Sequence, residues 1–185
     1  MTSTRGSEKG SGEETQSQQV LWAPWRMQYI RERKPLECIF CVATTESTLR
    51  QQLILRVTPS CRVLLNKYPY NNGHFMVAPN RHTANLVELP AAEFVDLMGE
   101  VRRVIAVLEA ALHPQGFNVG LNLGECAGAG VADHLHWHVV PRWNGDTNFM
   151  PVVGSVRVMP QHLLESYDQL RPYFIEQDEN KTRSN

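Results

Sequence analysis

Apolar residues return at every third or fourth position between Ala91 and Leu112, placing Phe94, Leu97, Met98, Val101, Val104, Ile105 and Leu108 on one face of a helix. Pro90 supplies its start, and His113-Pro114-Gln115-Gly116 supplies its stop. Elsewhere the period shortens. Residues 53–57 and 62–66 read as strands joined by the turn Thr58-Pro59-Ser60. After a loop over 68–72, residues 73–78 form a third strand closed by Pro79. Residues 117–123 alternate as a fourth, a glycine-containing loop spans 124–130, and 134–140 form a last strand ended by Pro141. Pro24 suits the first turn of an earlier helix carrying Trp25, Gln28 and Tyr29, with Pro35 as its stop. A shorter amphipathic helix over 161–174 closes the pattern. Hairpin-length turns with one long helix crossing over predict an α+β fold on an antiparallel sheet, without internal repeats.

Composition narrows the setting. The 185 residues suit one domain, and a 42% apolar share suffices for a core. Residues 1–19 are rich in Ser, Gly, Glu and Gln and lack an apolar h-region, which predicts a disordered tail rather than a secretory signal. The folded unit is expected over 20–175, with 176–185 a charged, frayed C-terminal tail. A formal net charge of −1, from 18 basic and 19 acidic residues, argues against an extended nucleic-acid footprint. No segment approaches the roughly 20 apolar residues of a membrane span. Four cysteines do not suggest a disulfide scaffold, and Cys38-Ile39-Phe40-Cys41 has a spacing suited to metal or redox chemistry. A cytoplasmic protein is expected.

The densest chemistry lies in His134-Leu135-His136-Trp137-His138. Side chains alternate along a strand, so the three histidines share one face at intervals of roughly 7 Å. Three imidazoles on one buried face need partners. They could form a trihistidine metal centre, or one could act as a nucleophile while its neighbours orient it or serve the leaving oxygen. The preceding loop, Gly124-Glu125-Cys126-Ala127-Gly128-Ala129-Gly130, can present backbone N–H groups to an anion and favours the second reading for a phosphate ester. Lys67 and Arg142 are further phosphate-partner candidates, while Trp137 should point away from the histidine face.

His134-Leu135-His136-Trp137-His138-Val139-Val140 resembles the signature of the histidine triad family. The resemblance covers about residues 21–160 and includes the run from Leu65 to His82 with Asn66, Asn71, Asn72, Gly73 and His74. The segment from Asp133 to Phe149 looks nearest to the bacterial diadenosine tetraphosphate phosphorylase and hydrolase branch. The resemblance implies that His136 attacks the α-phosphorus to give a nucleotidyl-histidine intermediate. It implies that His138 contacts phosphate and helps the leaving group, and that His74 supports the cluster. Asn66 would bond the ribose, and Asn122 with Gly128, Ala129 and Gly130 would line the phosphates. The partner is an adenine nucleotide, and family members generally form homodimers. Many members carry Gln and then Ser or Thr four and three positions before the first triad histidine; here Gly130 and Val131 stand there, so backbone groups must replace a side-chain phosphate contact.

Cys38 and Cys41 suit two thiolates on one zinc, against two packed thiols or a redox pair. His82 and His134 are the candidates to complete the set. Zinc-containing histidine triad proteins, and the related galactose-1-phosphate uridylyltransferases, pair a Cys-x-x-Cys motif with these two histidine positions. A closed set of two thiolates and two imidazoles would be structural, so a zinc-stabilised fold is expected. Cys61 reads as packing; Cys126 sits in the phosphate loop without an assigned role. The competing functions are a nucleoside phosphoramidate or adenylyl-sulfate hydrolase, a nucleotide-binding sensor with little turnover, and a trihistidine zinc hydrolase.

Overall fold

A computed structural model describes residues 38–146 and 161–183. The tail over 1–19, the helix expected around Pro24 and Trp25, and Asn148-Phe149 lie outside the described residues. A short helix, α1 (Glu46–Gln51), leads into β1 (Ile54–Val57), β2 (Cys61–Leu65) and β3 (Phe75–Pro79). Then come α2 (Ala91–Leu112), β4 (Gly116–Leu121), a single 3₁₀ turn at Glu125–Ala127, β5 (Trp137–Arg142) and α3 (Leu163–Arg183). The five strands form one antiparallel sheet in the order β1-β2-β3-β5-β4. The expected class therefore holds, with α2 as the long crossover that lets β5 slot between β3 and β4.

One face of the sheet carries the main core. Val63, Leu65, Phe75, Val77, Trp137 and Val139 point to it, and α2 supplies Leu97, Val101, Val104 and Leu108 from its apolar stripe. Tyr167, Leu170 and Phe174 of α3 pack on the same side. Trp137 meets Phe94 edge-on at 6.0 Å, so it does point away from the histidines. The opposite face has a smaller cluster of Phe40, Ile54, Leu64, Met76 and Ala78. Cys61 is buried in the main core, as its packing role requires.

Several boundaries differ from the pattern. The β3–β5 ladder runs only from Phe75↔Val139 to Val77↔Trp137, so His134 and His136 precede the regular strand. Leu135 N–H bonds Thr83 O at 2.7 Å and keeps that segment extended. Pro141 does not end β5, which pairs with β4 out to Arg142↔Gly116. The Pro141 carbonyl accepts from Asn71 Nδ2, so its backbone edge faces away from β4 and the missing N–H costs that ladder nothing. Helix α3 runs past the expected stop at 174 to Arg183, since Ile175–Arg183 is mostly Glu, Gln, Lys, Arg and other residues a helix accepts. Helix α1 has no apolar stripe to announce it. Thr45 N–H bonds Thr48 Oγ1 at 2.9 Å at its start, and Leu53 beyond it takes a left-handed φ of 58° to turn into β1. Among the described residues no helix is long and apolar enough to cross a membrane.

Candidate active site and metal centre

The second sheet face gathers the histidines. His74 precedes β3, His138 lies within β5, and His134 and His136 continue β5 backwards along the same face. His74, His134 and His136 are nearly inaccessible, and His138 is half-buried. His136 and His138 rings stand 4.9 Å apart at 77°, and His74 and His138 lie 5.1 Å apart. The three residues expected to do chemistry therefore form a chain, with His138 in contact with both His74 and His136.

Hydrogen bonds assign a tautomer to each ring, because a backbone N–H only donates and a carbonyl only accepts. Tyr70 N–H donates to His74 Nδ1 at 3.0 Å, and Asn66 Nδ2 lies 3.4 Å from the same nitrogen. His74 must then carry its proton on Nε2 and donate to His138 Nδ1 at 2.9 Å. His138 in turn carries its proton on Nε2. His136 donates from Nδ1 to His134 O at 2.8 Å, which leaves its Nε2 a lone pair. His134 donates from Nε2 to Pro79 O at 2.8 Å, which leaves the lone pair on its Nδ1. His134 and His136 are thus turned to different uses by fixed backbone carbonyls, and His138 by His74, whose own tautomer the Tyr70 amide sets.

Burial keeps these rings uncharged. Desolvation lowers the pKa of His136, partly offset by its bond to His134 O. His138 is pushed down to about 4, first by desolvation and then by the neighbouring His136. His134 is lowered as well, chiefly by burial, against the favourable bond to Pro79 O. At neutral pH the site therefore offers one imidazole lone pair, at His136, beside one imidazole donor, at His138.

A second cluster adjoins the first through His134. Donor atoms of Cys38, Cys41, His82 and His134 all lie within 4.8 Å of one another. Cys38 Sγ and Cys41 Sγ stand 3.3 and 3.6 Å from His134 Nδ1, and Cys41 Sγ is 3.3 Å from His82 Nδ1. His82 Nδ1 and His134 Nδ1 are 3.2 Å apart. A tetrahedral zinc with bonds near 2.3 Å to sulfur and 2.0–2.1 Å to nitrogen sets donor–donor edges of roughly 3.3–3.8 Å. The donor set fits such an ion, and His134 has its lone pair on the nitrogen that faces the cluster. Without a cation, burial and the adjacent Cys38 raise the Cys41 thiol pKa. A divalent ion reverses that balance by holding the sulfurs as thiolates. These four residues form a site able to hold a metal ion.

The other expected residues divide. Asn66 Oδ1 accepts from Tyr68 N–H at 2.9 Å, so its amide braces the loop that orients His74 and leaves one oxygen lone pair and one N–H for anything else. Asn122 Nδ2 bonds Gly128 O at 3.4 Å and stands beside the loop. Gly128 and Ala129 are not turned outwards. Their amides bond Glu125 O at 2.9 Å and Gly124 O at 3.2 Å, because the 3₁₀ turn spends them internally. Gly130 follows, half-buried. Arg142 bonds Asp146 at 2.6 and 2.8 Å and Asn118 at 2.8 Å, so three of its five donors are engaged within the protein. Lys67 and Cys126 are exposed.

Two residues that the motifs did not mark stand against the histidines. Phe40 stacks on His136 at 5.0 Å and 29°, and Tyr70 stacks on His74 at 4.9 Å and 20°. Phe40 was visible as an aromatic inside Cys-x-x-Cys, where a solvated turn has no need of one. Tyr70 carried no comparable signal.

Against known proteins, the sequence matches the HIT domain family over residues 49–145. It is 38% identical over 167 residues to the AP-4-A phosphorylase of Mycobacterium tuberculosis (strain ATCC 25618 / H37Rv), covering 86% of this chain and 85% of that protein. It is 35% identical over 91 residues to the asymmetrical bis(5'-nucleosyl)-tetraphosphatase of Schizosaccharomyces pombe, covering 49% of this chain and 50% of that one. Among solved structures, a histidine triad nucleotide-binding protein from Sulfolobus tokodaii superposes with a TM-score of 0.57 at 28% identity, over 77% of this chain and 93% of its own. A histidine triad family protein from Mycobacterium smegmatis gives 0.59 at 23% identity, over 78% and 98%, and shares the fold.

Proposed function

This chain belongs to the HIT domain family, and on that premise we propose that it cleaves dinucleoside polyphosphates, diadenosine tetraphosphate first among them, through a nucleotidyl group carried on His136. The observation that carries the reading is the bond from His136 Nδ1 to His134 O, which leaves the ring's one lone pair on Nε2. That lone pair attacks the α-phosphorus. The bond from phosphorus to the bridging oxygen breaks, and its electrons leave with the nucleoside triphosphate. The ring that results is positively charged, and its Nδ1–H still faces a carbonyl that stabilises it. His138 Nε2–H is placed to donate a hydrogen bond to the phosphate or the departing oxygen. His74 and the Tyr70 amide fix that orientation. Attack by water or inorganic phosphate then frees His136. The likeness to a phosphorylase and a tetraphosphatase supports this substrate class and a HIT-type nucleotide hydrolase or phosphorylase.

Asn66 serves the ribose with its remaining lone pair. Asn122 and Gly130 serve the phosphates, with Gly128 and Ala129 joining if the turn opens to release their amides. Zinc is the ion we assign to Cys38, Cys41, His82 and His134. Bound there, it supplies a closed structural cross-link with no open coordination position. The enzyme is taken to be cytoplasmic and homodimeric.

The test is incubation with diadenosine tetraphosphate, with and without inorganic phosphate, beside His136→Asn. ATP with ADP only when phosphate is present marks a phosphorylase; ATP with AMP in its absence marks a hydrolase. Either activity should fall by at least about 10³-fold in His136→Asn. Turnover that survives in the variant refutes a nucleophilic His136. A wild-type protein that leaves this substrate intact but cleaves adenosine phosphoramidate or adenylyl sulfate refutes the substrate class alone.

A further inference from the structure

We infer that Phe40 is a positioning residue for His136, and that the metal knuckle acts on catalysis by holding this ring against the nucleophile. The inference rests on His136 being the nucleophile. Phe40 sits in a tight turn closed by Cys41 N–H to Cys38 O at 2.9 Å, between a half-buried Cys38 and exposed Ile39 and Cys41. Yet its side chain is 0% exposed. It leaves the turn to seat on Ile54, Leu64, Met76 and Ala78, and its ring covers His136 at 5.0 Å and 29° while touching His134 at 5.1 Å. The bond to His134 O fixes one atom of the His136 ring but still allows a pivot about that atom. A flat ring stacked on His136, with His138 edge-on to it at 4.9 Å, restricts the pivot and points Nε2 along one line.

The seat has few other holds. Among the described residues, the polar holds on residues 38–42 besides the turn bond are Arg62 Nη1 donating to Val42 O at 3.1 Å and the short contacts of the Cys38 and Cys41 thiols with His134 and His82. A metal ion gripping Cys38 and Cys41 on either side of Phe40, together with His82 and His134, closes the knuckle over the histidine pair. Occupancy of a site that performs no chemistry is thereby conveyed to the reacting nitrogen. Misplacement of a reacting atom by about 1 Å can cost about 10²-fold in rate, so a modest loosening is enough to matter.

The experiment compares zinc-loaded wild type with zinc-loaded Phe40→Leu, which keeps apolar volume but not a flat ring. Zinc content, melting temperature, kcat, KM and the ¹⁵N shifts of the His136 ring in free protein are recorded for both. We expect Phe40→Leu to retain zinc and to keep KM within about twofold. Its kcat should fall about 10- to 100-fold, with the His136 nitrogens averaging between tautomers instead of showing a fixed Nδ1–H. Stripping zinc from wild type should reproduce both effects, while stripping it from Phe40→Leu should add less than about threefold, since the same seating is already lost. Wild-type kcat and a fixed tautomer in zinc-loaded Phe40→Leu overturn the proposal, as does an equal zinc dependence in the two proteins. If Phe40→Leu fails to hold zinc, titration of wild type decides: the His136 shifts must move in step with occupancy, and shifts indifferent to zinc refute the coupling. These shifts need no substrate, so failure to cleave diadenosine tetraphosphate does not confuse the outcome.

Discussion

At the residue scale, the site works because backbone groups dictate which nitrogen of each imidazole bears the proton. The alternation of His134, His136 and His138 was legible in the sequence, since a period of two needs only residue types. The partners were not: Pro79 O, His134 O and Tyr70 N–H are main-chain groups that almost any residue could supply, so no letter marks them. The metal cluster was half legible in the same sense. Cys38 and Cys41 announce themselves by spacing, whereas His82 meets them only through the fold. Burial of His138 has a thermodynamic signature. Its pKa is held at about 4 against 6.5 in the unfolded chain, so between these values the unfolded chain binds a proton that the folded one does not. The stability that its neutral form contributes is fully present above about pH 6.5. It is lost as pH falls towards 4 and amounts to roughly 3 kcal/mol at most. Urea unfolding at pH 7 and pH 4.5 should therefore show a smaller acid loss in His138→Asn than in wild type, the metal-linked part being common to both. Identical losses would mean that His138 titrates normally.

At the element scale, strand alternation and the α2 stripe were strong enough to read, while ends set by tertiary partners were not. The regular part of β5 starts at Trp137 because its ladder with β3 ends there, and α3 continues because nothing after residue 174 forbids a helix. The entry to β3 shows what the sequence marks only as a glycine. Gly73 has φ of 70°, and a Cβ there would lie 2.8 Å from Leu112 Cδ1 and 3.0 Å from Leu108 Cδ2 of α2. The backbone conformation strains any side chain there, and a Cβ would also push aside the ends of Leu108 and Leu112. Gly73→Ala should cost about 1–3 kcal/mol and lower the melting temperature by several degrees. Gly120 is the contrast: it lies opposite His138 on β4 with a permitted φ and nothing within 4 Å of a Cβ. Gly120→Ala should be neutral or slightly stabilising. Equal melting temperatures for the two variants would show that the turn before His74 yields more than its packing indicates.

At the scale of the whole molecule, the two edges of the sheet are treated differently. The β1 edge is covered: Tyr167 Oη donates to Ile54 O at 3.2 Å, Arg171 Nη1 donates to Leu55 O, and Arg50 and Asp168 pair bidentately beside them. These bonds let α3 cap backbone acceptors that would otherwise recruit another strand. Strand β4 is the other edge, and among the described residues no strand pairs with its outer side. Val119 there is 47% exposed, with Phe117 and Leu121 half-buried on the same face. In α2, Phe94, edge-on to Trp137 of the neighbouring β5, and Val95 are also exposed. An apolar edge without a strand partner among the described residues is an arrangement that a second copy would satisfy, since two identical antiparallel edges can pair about a twofold axis and continue the sheet. This asymmetry supports the homodimer proposed above. Wild type should sediment at about twice the 21.0 kDa chain mass, and Val119→Asp, which places like charges near the axis, should shift it towards the monomer. A wild type that sediments as a monomer at micromolar concentration would refute the pairing. A Val119→Asp protein that stays dimeric would move the interface away from β4. Because His138 lies on β5 directly against β4, the dimer variant should also lose turnover if that edge must be held straight. A monomer with full activity would show that each chain carries a complete site.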